Sequence, residues 1–256
     1  MQFQQVSLSD FLCDSSCQIN VYYVNISPFN VTSVNITTKK MHIKMQILLP
    51  IHILAGIFAL LSSAFAVYSE KGKRIHVLSG KIYFWSMFVI FLTAIPMSII
   101  NSNIFLFLIA IFSFYQAFTG MRFARNRKGI ATILDWAAVC LMVLAGVGML
   151  ILATIYFTNY NSQYIVLLVF GFLAVFLGYS DYKSHKNKTA IGNKRIAKHL
   201  TNMMGGTIAV ITAVLVINVD IDIDIDIDIE PVWIWWVLPT ALIVPFIVWW
   251  NFKVLK

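Results

Sequence analysis

Charge is what this chain has least of. Only 12% of its 256 residues are Asp, Glu, Lys or Arg, about half of the roughly 25% usual in soluble domains. With 59% hydrophobic residues and a mean hydropathy of +0.80, this excludes an ordinary soluble globular protein. Three cysteines are too few for a disulfide framework. Cys13 and Cys17 lie in a polar N-terminal stretch, and Cys140, inside an apolar run, reads as packing. Enzyme motifs are missing too: no phosphate-binding glycine loop, no Cys-x-x-Cys pair, no Gly-x-Ser-x-Gly elbow and no His-Glu-x-x-His. Residues 1–40 have no basic n-region and no small-residue cleavage site, so they do not read as a secretory signal.

What is present is a series of apolar runs, at about 47–67, 82–100, 104–121, 131–157, 163–180, 201–219 and 232–252. Each is long enough to cross a hydrocarbon core of about 30 Å at about 1.5 Å per residue. The expected fold is therefore an all-α integral membrane bundle of about seven transmembrane helices in one domain, 46–253, whose partner is the lipid bilayer.

The basic residues orient it. Lys71, Lys73, Arg74 and Lys81 fill one gap, and the next, Asn101–Asn103, is uncharged. Arg122, Arg125, Arg127 and Lys128 follow, then the uncharged gap 158–162. A third basic gap runs from Lys183 to Lys198, and Lys253 and Lys256 close the chain. Sixteen of the 19 Lys and Arg thus fall on one side of an alternating topology. Short basic loops stay cytoplasmic, which puts the N-terminus outside and the C-terminus inside. The +8 net charge follows this pattern and is spread over short loops, so it indicates anionic inner-leaflet lipid and no nucleic acid. All seven tryptophans also fall near run ends, where an amphipathic ring prefers to sit.

Two segments do not fit the bundle. Residues 1–45 read as a disordered N-terminal extension, and its Lys39, Lys40 and Lys44 are the only bases on the wrong side. The expectation is that translation starts at Met41 or Met45. In a eukaryotic secretory route the sequons at Asn25, Asn30 and Asn35 would instead mark an outer tail. Residues 220–230 form an Asp-Ile low-complexity outer loop. Period 2 puts the acids on one face, but they repel one another and lack the glycine turn of a calcium loop. A tolerated expansion is the better reading than a cation trap.

Ionisable groups in membrane spans are costly and usually face the bundle interior, so they are the candidate site residues. His52 lies near the outer end of the first span, on one helical face with Gly56, Ala59 and Ser63, a stripe suited to close helix packing. His76 is expected as a loop histidine at the inner entry to the second span, more often solvated than a ligand. His199 opens the sixth span at the same end, and His185, among lysines, reads as solvated. Asp135 has the form of a capping-box acid in Thr132-Ile133-Leu134-Asp135. Asp181 ends the fifth span beneath Gly171, Ala174 and Gly178 and reads as an interface marker, while Gln116 is placed to bond between helices.

Depth limits the chemistry. A zinc site of His52, His76 and His199 needs all three within about 2 Å of one metal, and the topology forbids this. Haem b ligated by His76 and His199 is allowed, but it requires the second and sixth helices to pair. His52 would then be an outer-face proton or quinone contact. No internal repeat of the kind that marks many transporters is read.

Several segments together resemble a family of uncharacterised bacterial multi-pass membrane proteins defined as a domain of unknown function. They are His52-Ile-Leu-Ala-Gly56, Lys73-Arg74-Ile75-His76 to Gly80-Lys81-Ile82-Tyr83, Ile111 to Gly120, and His199 through Met203-Met204-Gly205-Gly206 to Asn218. The resemblance covers about 46–219 and implies a prokaryotic inner-membrane protein whose recurrent features include His52, His76 and His199. It implies no activity, and the first forty residues and the Asp-Ile stretch depart from it. Three classes of function stay open: a haem- or metal-binding redox module, a small-solute or ion transporter lined by His52, Gln116 and Asp135, and a non-catalytic scaffold or sensor. The first is favoured, because histidine dominates the buried polar set.

Overall fold

The computed structural model describes residues 31–219 and 233–256. Seven helices run through them: α1 (Val31–Tyr68), α2 (Arg74–Ile100), α3 (Ile104–Arg125), α4 (Ile133–Thr158), α5 (Tyr164–Lys186), α6 (Gly192–Val219) and α7 (Trp233–Leu255). There is no strand among the described residues, and all seven helices contain a stretch long and apolar enough to cross a membrane. Such a segment becomes helix because lipid offers its backbone N–H and C=O groups no other partner. The protein is an all-helical, multi-pass membrane bundle. Its outer surface is Leu, Ile, Phe and Val, with Ile133, Phe172 and Phe176 among the most exposed.

The helices are longer than the apolar runs at their charged ends. α2 begins at Arg74, α5 continues to Lys186 and α6 begins at Gly192. Hydropathy falls at the first charge, whereas the intrahelical hydrogen bonds continue past it. His76 is consequently on the first turn of α2 and not in a loop, and His199 lies about two turns inside α6. α1 likewise begins at Val31, within the stretch read as a disordered extension. Residues 1–30, with Cys13, Cys17 and two of the sequons, and the Asp-Ile loop lie outside the described residues.

Among the described residues, the turns from α1 to α6 are short and force an antiparallel zigzag. Most contain a residue with positive φ, such as Gly72 at +79° between α1 and α2 and Ser102 at 51° between α2 and α3. α1, α2, α3 and α6 pack in a ring, α4 and α5 form a hairpin against α3, and α7 lies along α6. One core joins α3, α4 and α5 through Phe112, Met142, Met149 and Phe170. A second, smaller core closes the middle of the ring with Ala59, Tyr83, Met87, Ala117 and Val210. The Asn251 amide donates to the Thr201 hydroxyl at 2.7 Å and ties α7 to α6. Trp233 and Trp236 pack partly against the first core, the latter edge-on to Phe105 at 4.9 Å.

Glycine does different work in the two hairpins. In α4–α5 a Cβ on Gly146 would stand 2.8 Å from Ala174 Cβ, and one on Gly171 would stand 3.2 Å from the Gly146 carbonyl. In α1–α2 a Cβ on Gly56 or Gly80 would meet nothing within 4 Å. The expected close-packing stripe on α1 is therefore carried by Ala59 and Ser63, both buried, and not by Gly56.

Candidate functional site

The ring of α1, α2, α3 and α6 brings His76 and His199 together. Their ring centroids are 6.2 Å apart with planes at 88°. His76 Nδ1 donates to the Ala66 carbonyl at 3.0 Å, and His199 Nδ1 donates to the Gly120 carbonyl at 2.8 Å. A carbonyl only accepts, so in each neutral ring the proton is on Nδ1 and the lone pair is on Nε2. A second partner on the far ring nitrogen is how ligating histidines are commonly oriented. Gly120 makes this approach feasible, because a Cβ there would stand 2.9 Å from Met203 Cγ. Lys71, in the α1–α2 turn, donates to the same Ala66 carbonyl at 3.0 Å and also to the Val67 and Ser69 carbonyls. Its ammonium sits where a cation favours a helix C-terminus, and partial burial lowers its pKa below the usual lysine value.

His52 stands apart. Its Nδ1 is 2.8 Å from Thr93 Oγ1. The Thr93 hydroxyl is also within 2.8 Å of the Val89 carbonyl and 3.0 Å of the Ile90 carbonyl, within its own helix. Thr93 is 17 residues beyond His76 on α2, a rise of about 25 Å. The structure brings together two of the three spanning histidines and leaves the third at the other end.

The other candidates resolve differently. Asp135 is a structural anchor: its Oδ2 accepts from the Thr132 N–H at 2.7 Å and hydroxyl at 2.8 Å, and Arg122 clamps both carboxylate oxygens at 2.6 and 2.7 Å. Gln116 is buried against Gly205, and its Oε1 has no hydrogen-bond partner among the described residues. His185 is not solvated. It is buried, stacked on Phe123 at 5.2 Å and edge-on to Trp136 at 5.8 Å. Cys140 is exposed and lines a shallow apolar groove between α4 and α5.

One network was missed by sequence reasoning. Asp181, 1% exposed, accepts from the Tyr115 hydroxyl at 2.8 Å and from Lys198 Nζ at 2.8 Å. Lys198 also donates to Ser180 Oγ at 2.6 Å, and Asn202 donates to the Lys198 carbonyl at 3.0 Å. This ties α3, α5 and α6 together directly beside His199. The available signal was Asp181 itself, since an acid at the end of an apolar run needs a cationic partner on another helix.

No protein-family model matches this chain, and neither a curated protein nor a solved structure is significantly similar to it.

Proposed function

We propose that this protein holds a metal-centred redox group, haem b in the first instance, between His76 and His199. The observation that carries the reading is the ring pair. Two imidazoles that share one metal through bonds of about 2.0–2.1 Å would have their centroids up to about 6 Å apart, and these are 6.2 Å apart. The donor chemistry fits as well, with both Nδ1 atoms tied to carbonyls and both Nε2 lone pairs free.

Haem b held by both histidines would have no open position on its iron, and the chemistry it would supply is one-electron transfer. The chain's own part is to fix both tautomers, exclude competing ligands and place Lys71 beside the site. A solute path is the weaker reading, because the apolar layer of Ala59, Met87, Ala117 and Val210 closes the ring at mid-depth. The setting proposed is a bacterial cytoplasmic membrane with the His76–His199 end inside. The basic turns at that end support this.

The test is a visible absorption spectrum with metal analysis on protein purified in mild detergent. A Soret band or bound metal that is lost in both His76→Ala and His199→Ala, and kept in Phe172→Ala on the lipid face, supports the proposal. Colourless, metal-free protein overturns it.

A further inference from the structure

The lipid-facing side of the α4–α5 hairpin is furrowed. Two reciprocal contacts set the depth: a Cβ on Gly178 of α5 would stand 2.8 Å from Val143 Cγ2, and one on Gly146 of α4 would stand 2.9 Å from Val175 Cγ2. Each valine thus sits on a glycine of the other helix. Val139, Val143 and Val175 are buried or half-buried, whereas Trp136, Leu144, Tyr179 and Tyr182 are exposed around them. With Cys140 they line a groove of about 450 Å³. Short side chains flanked by long ones leave a channel open to the bilayer.

The groove changes character along its length. Val143, Leu144 and Val175 lie toward the middle of the two helices, and Trp136 and Tyr182 lie where α4 starts and α5 finishes. Trp136 is edge-on to Tyr182 at 5.8 Å, and Tyr182 stacks with Tyr179 at 6.3 Å. Aromatic rings with a polar edge settle at the headgroup level. This end therefore meets the membrane surface, and the other reaches the acyl chains.

Positive charge collects at the surface end. Lys186, one turn beyond Tyr182, holds its Nζ 5.7 Å from the centroid of that ring. The α3–α4 turn comes alongside: a Cβ on Gly129 would stand 3.4 Å from the Lys188 carbonyl and 2.9 Å from Ile191 Cγ2. That contact sets the turn bearing Arg125, Arg127 and Lys128 against the one that follows Lys183, Lys186 and Lys188. The nearby acids are already matched, Asp135 to Arg122 and Asp181 to Lys198. No other Asp or Glu occurs from 71 to 219. The six bases have no carboxylate partner among the described residues. An apolar channel under an uncompensated basic rim is complementary to an anionic phospholipid.

We propose that the α4–α5 groove is a specific site for one anionic phospholipid of the leaflet at the basic end. An acyl chain lies along Val139, Val143 and Val175, and the phosphate meets Lys186 and the Tyr182 hydroxyl. The site is separate from the histidine pair and does not depend on the redox reading.

The experiment measures lipid retention by the full chain in mild detergent, using native mass spectrometry. Phosphatidylglycerol and phosphatidylcholine with the same acyl chains are titrated in parallel. Wild type is compared with Cys140→Trp, which fills the groove, and with Lys183→Gln/Lys186→Gln, which removes part of the rim. Lys73→Gln/Lys81→Gln removes the same charge elsewhere at that end. One equivalent of phosphatidylglycerol should be held where phosphatidylcholine is not. Cys140→Trp should release it, and the rim pair should weaken it about 25-fold, at about fivefold per lysine. The control pair should leave it in place. Equal retention of the two lipids overturns the proposal, as does a control pair that weakens binding as much as the rim pair. Retention unchanged in Cys140→Trp also overturns it; if that variant does not fold, the rim pair decides. A wild-type dimer that Cys140→Trp dissolves would put a second copy of the chain in the groove, and overturns the lipid assignment.

Discussion

The α1–α2 and α4–α5 hairpins are both antiparallel helix pairs with glycine on their packed or half-packed faces, yet they are built to opposite ends. α4–α5 uses Gly146, Gly171 and Gly178 to bring backbones and methyl groups into contact, and its interface is apolar around Met142 and Ala174. α1–α2 packs through Ala59, Ser62, Ser63 and Ser86, and leaves its two helical glycines, Gly56 and Gly80, uncovered. One hairpin uses its glycines to close a helix interface and the other leaves them open. The meaning of a small residue in a span is therefore set by what stands over it.

Substitutions separate the two uses. The largest effect is expected at Asp181→Ala, which strands the partly buried Lys198 ammonium and removes the acceptor of the Tyr115 hydroxyl. Breaking such a pair costs about 3–5 kcal/mol when both groups are buried. Lys198 keeps about a fifth of its side-chain surface exposed, so the lower end applies. The apparent unfolding temperature in detergent reads this directly, and a shift no larger than that of a lipid-face control would break the assignment. Next, Gly146→Val forces a branched side chain against Ala174 and Val175, and overpacking of this kind costs about 1–3 kcal/mol. The same scan measures it.

Thr93→Val removes the hydroxyl that bonds His52, and loss of a single hydrogen bond is worth about 0.5–1.5 kcal/mol. The unfolding temperature reads it, and a shift equal to that of a lipid-face control would break the assignment. The smallest stability effect belongs to Gly56→Ala and Gly80→Ala. A methyl there meets nothing, and replacing helical glycine gains about 0.5–1 kcal/mol in a helix interior. Unfolding temperatures equal to or above wild type are expected, in contrast with Gly146→Val. A clear loss at either would erase the difference between the hairpins.

The seven spans were legible because length and apolarity alone decide whether a segment can cross lipid, and lipid then enforces helix. Their charged ends were not, because hydropathy measures side chains and helices end by hydrogen bonding. That is why His76 read as a loop residue and lies on the first turn of α2. The histidine pair was a permitted geometry and no more, since it depends on Gly120 of α3 admitting Met203 of α6 and on Gly206 of α6 admitting the Tyr83 hydroxyl of α2. The basic residues were read by sign, which fits a topology, but sign hides role. Arg122 clamps Asp135, Arg195 bonds the Phe123 carbonyl at 3.1 Å, Lys71 closes α1 and Lys198 pairs with Asp181. The match of His52-Ile-Leu-Ala-Gly56 with His76-Val-Leu-Ser-Gly80, and of Ser62 with Ser86 at the same offset, was hidden for a related reason. Four identities in an apolar stretch carry little weight until burial and register repeat with them.

The apolar layer formed by Ala59, Met87, Ala117 and Val210 also separates the two ends of the ring. Ala59 lies seven positions from His52 and seven from Ala66, whose carbonyl accepts from His76. A charge passed from one end to the other would cross this layer, working with or against up to about 2.3 kcal/mol for every 100 mV across the membrane. If the histidine pair exchanges electrons as proposed, that potential would bias their direction.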